Sequence, residues 1–314
     1  MRRTLLLLLS ASVLAAACGS DAKTADTSAS DPVATDVADT TPSNVDTSAA
    51  TDDPDDELPP PPTSPDKPTD IDVPGEAPTE LNVDVLSPGS GPVAETGDTV
   101  IVDYIGVRAL DGVEFDNSYD RFTPFSVGPL GSAPVIPGWN EGLLGAQEGA
   151  RLQLDIPSDL AYGPAARSEL IRENEPLTFV IDVRSVIKPS DPADAPTEAG
   201  VEPSDGATEL SFEDLIEGDG AELVEGQTAI FHIVLFRADN GVELDTTWEG
   251  EAIQLPMAEG GFPAIVEGMP GMHIGGRRAI TAPPELGFGP DGNPQIGLPA
   301  DVDIVLVVDL LGAY

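Results

Sequence analysis

From about residue 80 onward, short apolar runs alternate with turn-forming residues, and this pattern is typical of strands. Residues 99–105 are mostly apolar and β-branched, with glycines close on both sides. Residues 151–156 alternate apolar and polar positions, and residues 177–183 form a mostly apolar run. The pattern therefore predicts three strands in this part of the chain.

One stretch departs from the strand pattern and predicts a helix. Pro137 and Gly138 form a tight entry, and Trp139 and Leu143 share one helical face at a spacing of four. Gly145 is placed to end the helix. A Trp at such an entry is a candidate floor for a pocket. The strands and this helix together predict an α+β unit, in which one short helix covers an antiparallel sheet.

The whole pattern occurs twice in the chain. Asp111-Gly-Val-Glu114 has its counterpart 129 residues later as Asn240-Gly-Val-Glu243, and after a three-residue deletion Glu141, Gly142 and Gly145 recur 126 residues later. Each copy has roughly 105 residues, which is a normal size for an autonomous domain. Counterparts of the three strands are expected at residues 229–236, 277–281 and 302–311. We therefore predict domains over residues 80–188 and 208–314, joined by a Pro-, Asp- and Gly-rich linker over residues 189–207.

Residues 1–17 have the layout of a secretory signal peptide, with two arginines, an apolar run and a small-residue cleavage zone. Cys18, the only cysteine in the sequence, follows at once. One interpretation is a small apolar residue that ends the signal. The other is that Leu14-Ala-Ala-Ala-Cys18 resembles a bacterial lipobox, whose Cys is diacylated. That resemblance implies a lipid anchor on the extracytoplasmic face of the cell membrane, while Ala15, where the lipobox usually has Leu, leaves ordinary secretion as the alternative.

The composition of residues 18–79 predicts a disordered tether. Between residues 19 and 80 there are 16 acidic residues, two basic residues and 11 prolines. Such a segment cannot bury enough apolar surface to offset its conformational entropy. The acidic cluster at residues 52–57 lacks the alternating spacing of a calcium loop, so we interpret it as a solvated charge run.

The chain carries a formal net charge of -42. A charge of this size repels nucleic acid and anionic lipid, because both are negative. We therefore expect no nucleic-acid partner and contact with a membrane only through the lipid anchor. We also expect a monomer.

Conventional catalysis lacks candidate residues in this sequence. There are two histidines, His232 and His273, and neither has a counterpart in the first copy. No nucleophile motif, phosphate loop or metal-ligand spacing accompanies them. Both are interpreted as ordinary strand and surface residues, and no metal or cofactor is expected.

Aromatic and apolar residues of the first copy stand instead at strand ends and turns, in an order that resembles a known family. The motifs are Val102-Asp-Tyr-Ile-Gly106, Glu114-Phe-Asp116, Pro124-Phe125, Val135-Ile-Pro-Gly-Trp139, Ala161-Tyr-Gly163 and Leu177-Thr-Phe179. Residues 80–187 resemble the FKBP-type peptidyl-prolyl cis-trans isomerases. The resemblance implies a curved antiparallel sheet wrapped around a short helix, with the pocket between them. It also implies Pro-containing polypeptide clients and a macrolide as a further ligand.

By this resemblance the catalytic residues are Tyr104, Asp116, Trp139 and Tyr162. Trp139 would be the floor under the proline ring, and Tyr162 would donate its hydroxyl to a substrate carbonyl. Asp116 would lie near the Tyr104 hydroxyl and Arg121 while facing the twisting carbonyl. The residues implied to bind the substrate are Phe115, Arg121, Phe125, Val135, Ile136, Ile171 and Phe179. Ordinary core packing is the alternative for each apolar residue taken alone, and Arg167 stands where many members of the family carry His.

The second copy keeps the pattern but not the aromatic side chains. Ile233, Leu244, Ile265, Phe288 and Leu306 stand where the first copy has Tyr104, Phe115, Trp139, Tyr162 and Phe179, while Asp116 persists as Asp245. The resemblance to the family extends over residues 208–314. We therefore expect the same fold with weak or absent activity.

Two hypotheses of function follow. The first is an exported, lipid-anchored isomerase that assists the folding of exported proteins, with its catalytic site in the first domain. The alternative is a non-catalytic peptide-binding or chaperone protein that uses both FKBP-like pockets.

Overall fold

The computed structural model describes residues 66–314, in which the two copies form two six-stranded antiparallel sheets. The predicted signal peptide, Cys18 and the tether as far as residue 65 lie outside the described residues. Within residues 66–314, none of the helices has the length and apolar character that crossing a membrane requires.

The first sheet is built from the first copy. Its strands are β1 (Asn82–Ser87), β2 (Thr99–Arg108), β3 (Glu114–Asn117), β4 (Phe125–Val127), β5 (Arg151–Ile156) and β6 (Leu177–Ile187), and the helix α1 is Pro137–Gly142. The strand order is β1-β5-β6-β2-β3, and β4 also pairs with β2. The long strands β2 and β6 therefore lie at the centre of the sheet. Neighbouring strands pair with β2 on both sides and hold its site residues in place.

The second sheet repeats this arrangement. Its strands are β7 (Ser211–Ile216), β8 (Thr228–Arg237), β9 (Glu243–Thr246), β10 (Ile253–Pro256), β11 (Arg277–Ala282) and β12 (Ile304–Ala313), and the helix α2 is Pro263–Gly268. The order is β10-β8-β12-β11-β7, with β9 also paired to β8. The predicted α+β class and the duplication are confirmed, and all six expected strands are present. Six further strands, β1, β3, β4, β7, β9 and β10, were not expected.

Helix α1 lies directly on β5 because two of its residues are glycines. A β-carbon on Gly138 would come within 2.6 Å of the Ile156 side chain, and one on Gly142 within 2.9 Å of Leu154. The Leu143 amide donates to the Trp139 carbonyl at 3.0 Å, and both side chains are buried. The predicted shared face therefore points into the core.

The first copy is wrapped by a segment that the sequence assigned to the tether. We call residues 66–75 the first strap. Its Ile71 and Val73 pack on the face of the sheet that carries Ile105 and Val180, and its Asp72 carbonyl accepts a hydrogen bond from Gln153 Nε2 at 2.7 Å. These residues are part of the folded domain, so the folded region begins before residue 80.

The predicted linker behaves in the same way in the second copy. We call residues 194–204 the second strap. Arg277 Nη2 donates to the Asp194 carbonyl at 2.8 Å, and Ala199 is buried in the cluster that contains Phe236 and Trp248. Residues 194–204 are therefore not a free linker but a covering layer on the second sheet.

The described residues of both domains belong to one compact unit. Ile101 and Ile187 of the first domain share a buried apolar cluster with Ile230 of the second. At this seam a β-carbon on Gly312 would come within 2.3 Å of the Ile187 side chain. The end of β12 thus approaches the first sheet closely, and glycine makes that approach possible.

Candidate active site

Tyr104 lies on the central strand β2, and its hydroxyl group organises the polar part of the site. The ring is buried, and the hydroxyl donates to Asp116 Oδ2 at 2.5 Å. Arg121 donates to Asp116 Oδ1 from Nη1 at 2.5 Å and to the Tyr104 hydroxyl from Nη2 at 2.8 Å. Asp116 reaches this position because it stands opposite Gly106 in the β2–β3 pairing. The three side chains form one closed hydrogen-bonded group.

The two hydrogen-bond donors of this group, Tyr104 and Arg121, keep their protons near neutral pH. Burial, and then the hydrogen bond to Asp116, raise the pKa of Tyr104 to about 12. The hydrogen bond to Asp116 also raises the pKa of Arg121. Tyr104 therefore remains a hydrogen-bond donor and Arg121 a cation, so the carboxylate is oriented by two donors whose charge does not change.

A second set of contacts holds the Tyr104 backbone in place. Ser118 Oγ accepts from the Tyr104 amide at 2.9 Å and donates to Asp103 Oδ1 at 2.7 Å. Asp103 also accepts from Arg184 Nη1 at 2.8 Å. Because Asp103 and Ser118 are buried, these bonds fix the chain on both sides of the site.

Aromatic rings surround the buried Trp139 at the start of α1. Its ring centroid lies 5.1 Å from that of Tyr104, 5.2 Å from Phe179 and 5.9 Å from Phe125, each in an edge-to-face arrangement. Phe115 extends the group through an edge contact with Phe179 at 5.6 Å. Edge-to-face pairs at these separations are favourable because a positive ring edge meets a negative ring face. The buried Trp139 Nε1 has no hydrogen-bond partner among the described residues.

Gly106 provides the space in which two of these rings meet. A β-carbon at this position would lie 2.6 Å from Phe115 Cζ and 2.8 Å from Phe179 Cε1. Any other residue would displace the rings, since these distances are shorter than van der Waals contact. Gly106 is therefore required for the aromatic cluster.

The loop that leads into α1 is fixed by Asn140. Its Oδ1 accepts from the amides of Gly131 and Ala133 at 2.9 and 3.1 Å, and its Nδ2 donates to the Ala133 carbonyl at 3.0 Å. Val135 and Ile136, which follow in this loop, are half-buried and pack on the core that contains Trp139. The side-chain amide thus holds the loop and the helix start together.

Residues 161–176 form a flap that carries Tyr162. This residue is half-buried against the core, and the Arg167 guanidinium lies 4.9 Å from its ring centroid, a distance typical of a cation–π contact. The Arg167 amide donates to the Ile171 carbonyl at 2.9 Å. Ile171 is buried within the flap but does not join the core cluster of the other site residues.

Most strands of both sheets lie in segments that match a known protein family. The family model described as FKBP-type peptidyl-prolyl cis-trans isomerase matches residues 91–184 and 220–311, which is more than half of the chain. The chain belongs to the FKBP-type peptidyl-prolyl cis-trans isomerase family. Each match falls on one of the two sheets with its helix, so the molecule contains two FKBP domains.

Similar proteins come from bacteria and from a mammal. An FK506-binding protein of Streptomyces anulatus is 43% identical over 119 residues, which are 37% of this chain and 95% of that protein. The isomerase FkpA of Escherichia coli strain K12 is 42% identical over 129 residues, 41% of this chain and 46% of FkpA. Mouse FKBP10 is 29% identical over 225 residues, 71% of this chain and 36% of FKBP10. The match thus spans less than half of FkpA and of FKBP10.

Among solved structures, the crystal structure of FkpA from Escherichia coli is similar with a TM-score of 0.32 and 41% identity, over 36% of this chain and 51% of that one. The three FKBP domains of wheat FKBP73 give a TM-score of 0.35 and 17% identity, over 74% of this chain and 94% of that one.

The second FKBP domain has the same arrangement of strands and helix, but different side chains fill its core. Ile265 and Leu306 are buried at the positions of Trp139 and Phe179, and Leu235 is buried at the position of Gly106. The Phe262 and Phe288 rings, 5.4 Å apart, are half-buried at the edge of this core. Aliphatic side chains therefore fill the volume that the aromatic cluster occupies in the first domain.

The second FKBP domain also contains a buried aromatic pair. Trp248 is 6% exposed, and its ring stacks on His232 at 4.8 Å. His232 is itself buried, and its Nδ1 lies 3.0 Å from Thr247 Oγ1. Sequence spacing missed this contact because Trp248 reaches the sheet through a turn of irregular backbone.

The sequence named the aromatic residues of the site but not those that position them. Gly106 and Asn140 were missed, as were the buried Asp103 and Ser118. A glycine that interrupts a β-branched strand was a usable signal, since it marks a close approach. Asn140 gave no such signal, because an Asn near the start of a helix can play several different structural roles.

Proposed function

We propose that the first FKBP domain catalyses rotation about X-Pro bonds in polypeptide clients, with the proline ring held against Trp139. The observation that carries this proposal is the closed group of Tyr104, Asp116 and Arg121 in edge contact with the Trp139 ring. It places an apolar ring next to an oriented carboxylate. The second domain retains neither the indole nor the tyrosine hydroxyls.

The chemistry needs no covalent step. The barrier to X-Pro rotation is about 18–20 kcal/mol because the amide loses resonance when it twists. An environment that binds the twisted amide better than the planar one lowers that barrier. In this site the rings exclude water from the amide, the Tyr162 hydroxyl is available to hold a client carbonyl, and Asp116 faces the carbonyl that turns.

The test uses the full chain and a tetrapeptide with a single X-Pro bond. Trp139→Ile places in the first domain the residue that the second domain has, and it should lower kcat/KM about tenfold or more, equivalent to at least 1.4 kcal/mol of transition-state stabilisation. The matched control is Ile265→Leu in the second domain, which should leave the rate unchanged. A wild-type protein without activity, or equal activity in Trp139→Ile, contradicts the proposal.

A second candidate function concerns the second domain. Its Phe262 and Phe288 rings remain half-buried, which favours the binding of an apolar peptide without turnover. In that case the Trp139→Ile protein would still bind a Pro-containing peptide in calorimetry. Adding Phe288→Ala to that protein would abolish the binding.

The name of the Streptomyces relative also supports an FK506-type macrolide as a ligand of the first FKBP domain.

We further propose that the protein is exported and anchored through Cys18, where it assists the folding of exported clients. The support is the signal-like composition of residues 1–17 and the lipobox-like run that ends at Cys18. Intact-mass analysis of the protein purified from a bacterial membrane should show a diacylated N-terminal Cys18, and Cys18→Ser should abolish the added mass. An unmodified wild-type N-terminus contradicts the anchor and supports plain secretion.

A further inference from the structure

Phe122 is an aromatic residue with no place in the core. It is 93% exposed, more than any other large apolar side chain of residues 66–314. Its backbone is in the left-handed region, with φ 51° and ψ 33°. A bulky L-residue rarely adopts this conformation, because its β-carbon approaches the backbone. Both the exposure and the conformation are unfavourable for the isolated domain, so folding alone does not explain a Phe here.

The position of Phe122 connects it to the active site. Arg121, the preceding residue, donates to Asp116 and to the Tyr104 hydroxyl. Phe125, three residues later, lies 5.9 Å from the Trp139 ring and is 41% exposed. Site residues therefore lie on both sides of Phe122 in the chain, which places its backbone next to the site.

The second domain has no such residue. Between β9 and β10, the stretch that corresponds to Asp120-Arg-Phe-Thr-Pro124 reads Glu249-Gly-Glu-Ala252. Trp248, which precedes it, is buried. An exposed aromatic ring at this position is thus confined to the domain that has the aromatic site.

We propose that Phe122 is a docking residue for the unfolded client chain, in contact with an apolar stretch that adjoins the proline bound in the pocket. This proposal rests on the proposed isomerase function. An unfolded segment is the occupant that fits, because it is continuous with the bound proline and needs one apolar anchor rather than a large complementary surface. An acidic membrane is disfavoured by the net charge of -42.

The experiment compares two substrates on the full chain. One is a tetrapeptide, and the other is an unfolded protein whose refolding is limited by an X-Pro bond. Phe122→Asn removes the ring and keeps a residue that tolerates the left-handed conformation. The kcat/KM for the unfolded protein, relative to that for the tetrapeptide, should fall about fivefold, which corresponds to about 1 kcal/mol, and the fall should arise in KM.

Two further variants are the controls. Phe122→Trp retains an aromatic ring and should restore the wild-type ratio. Val85→Thr changes an exposed apolar residue of β1 and should leave the ratio at its wild-type value. A ratio that changes equally in Val85→Thr and Phe122→Asn overturns the proposal, since any loss of surface apolarity would then be enough.

The outcomes separate this proposal from the proposed function. If wild-type protein accelerates neither substrate, the isomerase function itself fails. If it accelerates both and Phe122→Asn keeps the wild-type ratio, or if both rates fall equally, the docking role is overturned. Cosedimentation of the wild type but not of Phe122→Asn with phosphatidylcholine vesicles also overturns it, because a lipid surface would then be the occupant.

Discussion

At the scale of single residues, one difference between the two domains is the Tyr104 hydroxyl and the hydrogen bonds that it makes. In the first domain the Tyr104 hydroxyl connects Asp116 with Arg121. In the second, Ile233 cannot make this connection, and Asp245 Oδ1 accepts a local hydrogen bond from the Thr246 amide at 2.9 Å. A retained carboxylate is therefore not a sign of a retained site.

His232 gives the second domain a pH-dependent stability. Burial lowers the pKa of His232 below its ordinary value of 6.5, so the folded domain binds this proton less readily than the unfolded chain, which binds it below about pH 6.5. Stability is therefore lost as the pH falls below 6.5, by at most about 1.4 kcal/mol per pH unit. Asp309 lies opposite His232 on β12. The Asp309 carboxylate is bound to Arg277, whose Nε donates to Asp309 Oδ1 at 2.8 Å.

The measurement is the thermal midpoint of the full chain between pH 7.5 and 5. The wild type should lose stability more steeply on acidification than His232→Asn, which is less stable at neutral pH but lacks the titrating ring. His273→Gln is the matched control, because His273 is exposed, and it should follow the wild-type slope. Parallel slopes for wild type and His232→Asn would refute this account.

The resemblance to the FKBP family named the aromatic residues that the structure brings together around Trp139. It could not predict Phe122, which is read from the sequence as one more apolar residue near Phe125. Exposure and a left-handed backbone are properties of the folded chain. The sequence therefore shows which side chains are available, and the fold decides which of them face solvent.

At the scale of elements, the strands of three or four residues were all missed, as were the six-residue β1 and β7, whereas the equally long β5 and β11 and the longer central strands were predicted. Residues 151–156 alternate along their length, and the strand β5 has these same bounds. The three-residue strand β4 has no periodicity to detect, and it exists because its partner β2 offers a free edge. Pairing with a distant strand is a tertiary effect that a local pattern does not contain.

The two straps show another limit of what a local sequence pattern can predict. Their Pro-, Asp- and Gly-rich composition is that of a linker, yet residues 66–75 and 194–204 lie on the two sheets. A few apolar side chains are enough, since Ile71, Val73 and Ala199 find apolar neighbours on the sheet. Composition describes the average of a segment, whereas docking depends on two or three positions.

At the scale of the whole molecule, the seam between the domains depends on Gly312. We expect Gly312→Val to push β12 away from Ile187, because even the β-carbon would lie 2.3 Å from that side chain. Overpacking of this kind costs about 1–3 kcal/mol. The expected result is separation of the domains, seen as a larger radius of gyration in small-angle scattering and as two unfolding transitions in calorimetry.

Gly250→Val is the control for the seam. A β-carbon on Gly250 meets only the Thr247 carbonyl, at 3.8 Å, so this variant should keep the wild-type radius of gyration. An unchanged radius and unchanged unfolding of Gly312→Val would show that the two domains do not depend on this contact.

Gly106 has a consequence for the history of the duplicated gene and for its redesign. Leu235 occupies the corresponding place in the second domain, between strand partners that include Leu306. Restoring a tryptophan and two tyrosines to that domain would crowd rings into space already taken by this leucine. Any path back to a working second pocket, whether by natural selection or by engineering, has to pass through a glycine at position 235 before the aromatic residues become useful.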